Sequence, residues 1–463
     1  MNKRTIAIIT ILPLIAFLAY RFNYVHSDVD ESPSYVGSDN CKSCHQTHYE
    51  SWKHNTLHPL IFLPITDLSQ IVGDFEQNNP LVTFKKEEIT HVVGSKWEQV
   101  YMRVIDGEYY PFTAKWMITA QKWVPYKVHK WKETPASTKC NGCHTTGYDA
   151  KTYNFSEFGV ACEACHGGGS LHVKHQNMVV DTECVACHRK PHVGEADIVV
   201  STKSTVCGQC HSRGQSVRKD LDGKTTSFNF PLEYKPGNNI SDTFVASTIN
   251  NDKKGKNWWC NGVSKNRHQE FADFSFSKHA NSLDDLRQKK NPHGGEKNDD
   301  CLKCHSQDYR SAKKDEKPTL KTAKHGLTCV TCHEPHGIDR NIKGNAGPNK
   351  CGECHLNTYA TLDHKNNNKR AEIHFPCPVD KVSCADCHMP RIVKTGGDFT
   401  IRSHAFRIIP PSASIKYEMP NSCQNSGCHA DKSHEEMSRI FHKSYPNYQL
   451  KSIKEVLKEG KKK

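Results

Sequence analysis

Nine copies of one five-residue pattern, Cys-x-x-Cys-His, recur along this 463-residue chain and limit its fold more than any hydrophobic periodicity does. They begin at Cys41, Cys140, Cys162, Cys184, Cys207, Cys301, Cys329, Cys351 and Cys384. A tenth unit, CQNSGCH at Cys423, has four residues between its cysteines instead of two. Together they use 20 of the 22 cysteines and leave Cys260 and Cys377. A single CxxC suits zinc or thiol redox chemistry. Repetition with histidine directly after the second cysteine, and no further CxxC to close a zinc knuckle, points to haem c instead. Two thioethers hold the porphyrin and the adjacent imidazole binds its iron.

Ten covalent haems are therefore expected. Their thioether residues are Cys41 and Cys44, Cys140 and Cys143, Cys162 and Cys165, Cys184 and Cys187, Cys207 and Cys210, Cys301 and Cys304, Cys329 and Cys332, Cys351 and Cys354, Cys384 and Cys387, and Cys423 and Cys428. The proximal iron ligands are His45, His144, His166, His188, His211, His305, His333, His355, His388 and His429. In the last unit the longer spacer bulges away while Cys428-His429 keeps its adjacency. The competing use of that cysteine pair is a disulfide in an oxidising compartment. Cys260 and Cys377 are either one disulfide or two separate thiols.

One haem per about 46 residues explains an otherwise poor core: hydrophobic residues are 36% of the chain and mean hydropathy is −0.72. The porphyrins themselves supply apolar bulk. The expected fold is mainly α-helix and coil wrapped around stacked haems, with a small antiparallel β-insert and no apolar nucleus of its own. The insert is placed at about 59–135, where EQVYMRVIDGEYYPFTAKW alternates on both sides of Asp106-Gly107, a two-residue hairpin signal. Its aromatic residues (Trp97, Tyr101, Tyr109, Tyr110, Trp116) suit either a docking face or a half-buried sheet. The haem motifs fall into two groups of five. The implied organisation is an anchor at 1–26, a first five-haem region at 27–225, a haem-free connection at 226–295, a second five-haem region at 296–432 and a basic helix or tail at 433–463.

The formal charge of +13 does not imply nucleic acid, because the cofactors are not in that count. Ten pairs of propionates bring about −20 and ten ferric bis-imidazole irons about +10, leaving the oxidised protein near +3. At the N-terminus, Lys3-Arg4 precedes 16 uncharged residues, Thr5 to Tyr20, with no A-x-A cleavage signal after them. That run reaches about 24 Å as a helix, serviceable as a membrane anchor if Arg21 snorkels. Lysine and arginine at the start place the remainder outside the cytoplasm. A periplasmic protein tethered to the inner membrane follows, or a periplasmic one if the segment is a cleaved signal peptide.

Of the 29 histidines, 19 are not proximal ligands, whereas methionine occurs only seven times. Bis-histidine coordination, at low potential, is the expected default. His336 in GLTCVTCHEPHG shows how such ligands work. Three residues of extended chain span about 10–11 Å, too short to pass from His333 around the edge of one porphyrin to its other face. If His336 binds iron, the iron belongs to another haem. The distal candidates are His58, His129, His172, His192, His268, His279, His325, His336, His374 and His404.

Several stretches resemble multihaem cytochromes of the cytochrome c-554-like, doubled-CxxCH group. YVGSDNCKSCHQTHYESWKHNTLH resembles the opening of that group, and VACEACHGGGSLHV is similar to its ACHGxGSxH element, whose last histidine, here His172, would be a distal ligand. SKNRHQEF and SKHA match its paired histidines, here His268 and His279. HFPCPVDKVSCADCHMPR, RSHAFRI and MPNSCQNSGCHADKS resemble its C-terminal haem run, which implies roles for His374 and His404. The four-residue spacer at Cys423 departs from the group's usual CxxCH. The wider superfamily holds both electron carriers and enzymes, so the resemblance does not choose between them.

No CxxCK is present and the histidine supply exceeds demand, so nothing forces an open iron. The favoured function is a decahaem cytochrome passing electrons along mostly bis-histidine haems in periplasmic respiration, with no catalytic residue assigned. Its partners would be a quinol-oxidising donor, and a cytochrome or terminal reductase as acceptor. The alternative is a multihaem oxidoreductase of small nitrogen or sulfur compounds, with one open iron at the Cys41 or Cys423 haem.

Overall fold

The computed structural model describes residues 32–178, 198–217, 228–252, 255–288, 296–337, 350–355, 383–425 and 427–450. The N-terminal anchor candidate lies outside them. Among the described residues no helix is long and apolar enough to cross a membrane. The chain divides into two compact units, residues 1–36 with 168–198, and residues 37–167 with 199–463. In the first, helix Ser170–Met178 carries His172. Ser34 fixes its start: the Ser34 amide donates to Ser170 Oγ at 2.8 Å and its carbonyl accepts from Ser170 N at 3.1 Å.

The largest ordered element of the second unit is a five-stranded antiparallel sheet of β1 (Phe62–Pro64), β2 (His91–Val93), β3 (Gln99–Ile105), β4 (Glu108–Met117) and β5 (Lys122–Pro125), in that spatial order. Ile105 pairs with Glu108 across Asp106-Gly107, whose φ angles are +50° and +79°. Both turn residues are thus left-handed, a conformation that Asp-Gly supplies cheaply and that matches the twist of the strands. One cluster buries Ile71, Phe84, Ile89, Val92, Tyr101, Phe112, Ala114, Trp116 and Trp123. Tyr101 and Trp116, at 0% and 1% exposure, belong to this core and not to a docking face. The expectation that the chain has no apolar nucleus is therefore corrected. Residues 59–135 concentrate β-branched and aromatic side chains at period two, enough to close a core with protein atoms alone.

"Mainly α" is also corrected. Among the described residues the helices run from a single turn to the eleven residues of His434–Ser444. The reason lies in what attachment requires. A CxxCH motif needs one helical turn to align its three functional side chains, and nothing in the motif asks the helix to continue. A second core gathers Trp259, Val263, Ile392, Val393, Ala405, Ile409, Ala413 and Met419, with Leu450 packed on it. Helix His434–Ser444 is capped by Ser433 Oγ, which accepts from Glu436 N at 3.1 Å, and packs against helix Pro411–Tyr417. The basic tail expected to end at 463 runs beyond the described residues after 450.

Candidate haem-binding sites

In a single helical turn the first cysteine and the histidine stand at i and i+4, with the second cysteine at i+3, all on one face. The structure has this turn. The histidine amide donates to the first cysteine's carbonyl at 2.8 Å for His45, 3.0 Å for His144 and His333, and 2.9 Å for His211 and His355. The Cys423 unit is held by different bonds. Asn421 Oδ1 accepts from the amides of Cys423 and Gln424 at 2.9 and 3.0 Å, and Gly427, at φ +84°, closes a turn on Gln424 O at 3.0 Å. Asn425 Nδ2 holds that loop to the carbonyls of Arg391 and Phe399.

Free cysteines rank among the most buried residue types. Here none of the 18 described motif cysteines is buried. Their thiols border open space, as sites that take up a large flat apolar group must. The His211 ring, deep among protein atoms, is still 49% accessible for the same reason. The residues present fit haem.

The histidines give a sharper test. Two imidazoles on opposite sides of one metal, each bonded at about 2.0 Å, have ring centres about 6 Å apart. Four proximal histidines face an imidazole from elsewhere in the chain at that separation. His144 and His268 are 6.4 Å apart, His355 and His279 6.1 Å, His333 and His404 6.1 Å, and His166 and His336 5.9 Å with planes within 6°. His58 lies within electrostatic reach of His211. Burial pushes His58 and His144 down to about 4, holds His268 well below the ordinary histidine value, and lowers His279, His333 and His336. All are then neutral at pH 7, with a lone pair available for a metal.

Second-sphere contacts set these rings in place. His268 has φ +60°, a conformation that costs a non-glycine residue roughly 1–3 kcal/mol and persists where surrounding structure imposes it. Its neighbour Arg267 is ion-paired to the buried Glu98, which also holds Lys115 Nζ at 2.5 Å. The sheet thereby positions the segment that brings His268 to His144. Asp273, 1% exposed, does the same for two loops. Its carboxylate accepts from Ser264 N (2.8 Å), Ser264 Oγ (2.7 Å), Ser403 Oγ (2.6 Å) and His404 N (3.0 Å). Asp273→Ala leaves these donors without an acceptor and is expected to cost about 3–5 kcal/mol. The denaturation midpoint of the holoprotein should fall accordingly, and an unchanged midpoint would contradict this role.

The described attachment sites form a connected row. Thiol pairs in hydrogen-bonding reach join Cys41 to Cys162, Cys143 to Cys210, Cys207 to Cys329, Cys304 to Cys354 and Cys351 to Cys384. Backbone and side-chain bonds repeat these links and add others. Gln209 Nε2 donates to Ala164 O at 2.9 Å, Cys329 N to Ser204 Oγ at 3.3 Å, Arg310 Nη1 to both Lys303 O at 2.8 Å and Cys354 Sγ at 3.9 Å, and Ser422 Oγ to Cys387 O at 2.9 Å, while Cys351 lies within electrostatic reach of Cys332. The unit at Cys207 touches three others: those at Cys140, Cys162 and Cys329.

His129 and His325 are not brought together in this way. His129 is exposed, and no described proximal ring stands within contact of it. His325 is held by its backbone, its amide donating to Asp308 Oδ2 at 2.9 Å. His172 lies in the first unit. Cys184, Cys187, His188, His192, His374 and Cys377 fall outside the described residues, while Cys260 is exposed. Sequence reasoning missed His48, whose ring is 4.8 Å from His336 and 6.5 Å from His45. The i, i+3 spacing from His45 was its available signal. It also missed Asp273 and Glu270, since an acidic residue near a histidine in space leaves no mark in the linear chain.

The family described as "Cytochrome c554 and c-prime" matches residues 114–167 and 263–337, which carry four of the motifs and His268, His279, His325 and His336. No curated protein matches the sequence. Among solved structures, the outer cell wall cytochrome OcwA superposes with a TM-score of 0.71 at 29% identity, covering 88% of this chain and 86% of that one. An undecahaem cytochrome from the S-layer of Carboxydothermus ferrireducens matches with a TM-score of 0.44 at 19% identity, over 83% of this chain and 54% of that one. The match to OcwA over nearly its whole length, together with the repeated CxxCH turns, makes this chain a multihaem c-type cytochrome.

Proposed function

We propose that the chain carries ten haems c and acts as an electron relay outside the cytoplasm. The observation that supports this best is the set of proximal histidines, each opposed by an imidazole from a distant segment about 6 Å away. Haem c bound at these sites supplies a one-electron iron couple. The chain's own residues do the rest. Paired cysteines would hold each porphyrin, the opposed imidazoles would bind its iron, and the contiguity of the described attachment sites would keep neighbours within electron-transfer range.

On this reading the relay runs through the units at Cys41, Cys162, Cys207, Cys329, Cys351, Cys384 and Cys423, with those at Cys140 and Cys301 as side branches. Its compartment is the cell envelope, consistent with the outer-cell-wall setting of OcwA. The N-terminal segment would tether it to the inner membrane or be removed on export. A quinol-oxidising donor and a cytochrome or terminal reductase acceptor remain the partner classes proposed.

Removal of the central unit tests the relay. In Cys207→Ala/Cys210→Ala, rapid-mixing reoxidation by a small oxidant after full reduction should change from one phase to two, because the flanking groups no longer equilibrate. Wild-type kinetics in a protein shown by mass to lack one haem would sink the relay order. Intact mass of the wild type should equal the exported chain plus ten haems. A high-spin signal in low-temperature electron paramagnetic resonance of the oxidised wild type would favour the enzyme with an open iron instead.

A further inference from the structure

We propose that Glu270 is a positioning residue that acts through His211 to hold the iron of the central unit in its ferric form, making it the lowest-potential step of the relay. The inference rests on the haem reading above and deepens it. Glu270 opens the short helix Glu270–Ser275, and its Oε2 lies 3.4 Å from His211 Nδ1. The backbone locks the pair, since Phe271 N donates to His211 O at 3.1 Å. With Nδ1 facing the carboxylate, the other ring nitrogen is the one left for a metal.

Two other proximal histidines provide the contrast. His166 Nδ1 meets Val199 O at 2.8 Å and His305 Nδ1 meets Ser282 O at 2.9 Å, both neutral carbonyls. A carboxylate in that place adds a full negative charge and draws on the ring proton, which makes the imidazole a stronger donor to iron and favours the higher oxidation state. Glu334, beside the distal candidate His336 at 3.3 Å, is by contrast 52% exposed and so screened by water and salt. Glu270 is 21% exposed, in surroundings where charges act more strongly. Arg267, close by, is already taken up by Glu98.

The consequence is positional. The Cys207 unit touches three others, so a low-potential iron there passes electrons on rather than storing them, and the flanking sites fill first. The test is a potentiometric titration of the holoprotein followed by visible absorbance, alongside electron paramagnetic resonance. Glu270→Gln keeps the shape and removes the charge. Its lowest-potential component should move upward enough to change the oxidised-to-reduced ratio at fixed potential by about tenfold, equivalent to about 59 mV for one electron. One low-spin signal should shift with it. Glu270→Asp keeps the charge and should remain near wild type, and Cys207→Ala/Cys210→Ala should lose that same component. If Glu270→Gln titrates as wild type while the cysteine variant loses one component, the proposal is overturned and the relay stands. If the cysteine variant keeps the full haem complement, the haem reading at that site fails, and the proposal with it.

Discussion

His404→Ala is expected to turn one low-spin iron into a high-spin one. The His404 ring faces His333 at 6.1 Å, and its loop is held independently of any metal by the Asp273 carboxylate on its backbone amide and by Ser403 Oγ on the same acid. Truncation at Cβ therefore removes the imidazole without releasing the loop, and no other described histidine ring is placed to take its position opposite His333. Oxidised protein should show a new high-spin signal amounting to one iron. Reduced protein should bind one equivalent of carbon monoxide where the wild type binds none at that site. His268→Ala should behave alike at the His144 iron, with some compensating relief of the left-handed backbone at residue 268. His129→Ala, at an exposed ring without a partner, should leave both signals as they were. A His404→Ala spectrum that stays entirely low-spin would remove the imidazole pairing on which the proposed coordination rests.

The contrast between His404 and His129 shows what was legible in the sequence. Attachment is local: five residues make one turn, and the turn needs no help from elsewhere, so each CxxCH could be read directly. The β-insert was legible for a related reason. Asp106-Gly107 between alternating strands is short-range information, and the strands pair with their sequence neighbours. Distal pairing is different. His268 lies 124 residues from His144, and what brings it there is a charge contact between Arg267 and Glu98 in the sheet. Such a contact is invisible until the sheet is in place. His129 and His268 look alike in the linear chain, and burial separates them. The apolar nucleus was misjudged because composition averages over the chain: 36% hydrophobic residues is a low mean, but residues 59–135 hold far more than their share of the aromatic ones.

That uneven distribution leads to the other large effect, removal of the cofactor. A chain without haem attachment should lose order around the turns at Cys162, Cys207 and Cys329, away from the sheet and the second core. The clusters beside the attachment turns are small. One holds Tyr49, Trp52 and Ala161, another Phe228, Phe230 and Leu232, and a third Leu283, Leu286, Leu302 and Ala323. At roughly 1.5–3 kcal/mol for each large apolar side chain buried, three or four residues cannot offset the roughly 1–2 kcal/mol per residue needed to order the surrounding coil. Nine residues, among them two tryptophans, a tyrosine and two phenylalanines, close the sheet cluster, and short connections join β2 through β5. Hydrogen exchange on the full-length chain with all motif cysteines changed to alanine should therefore show slow amides in β3 and β4 and fast exchange in the turns at Cys162, Cys207 and Cys329. Uniformly fast exchange would mean that even the sheet depends on haem packed against it. Uniformly slow exchange would mean that the thiols border space the protein fills by itself, and the argument from open cysteines to attached porphyrins would fail.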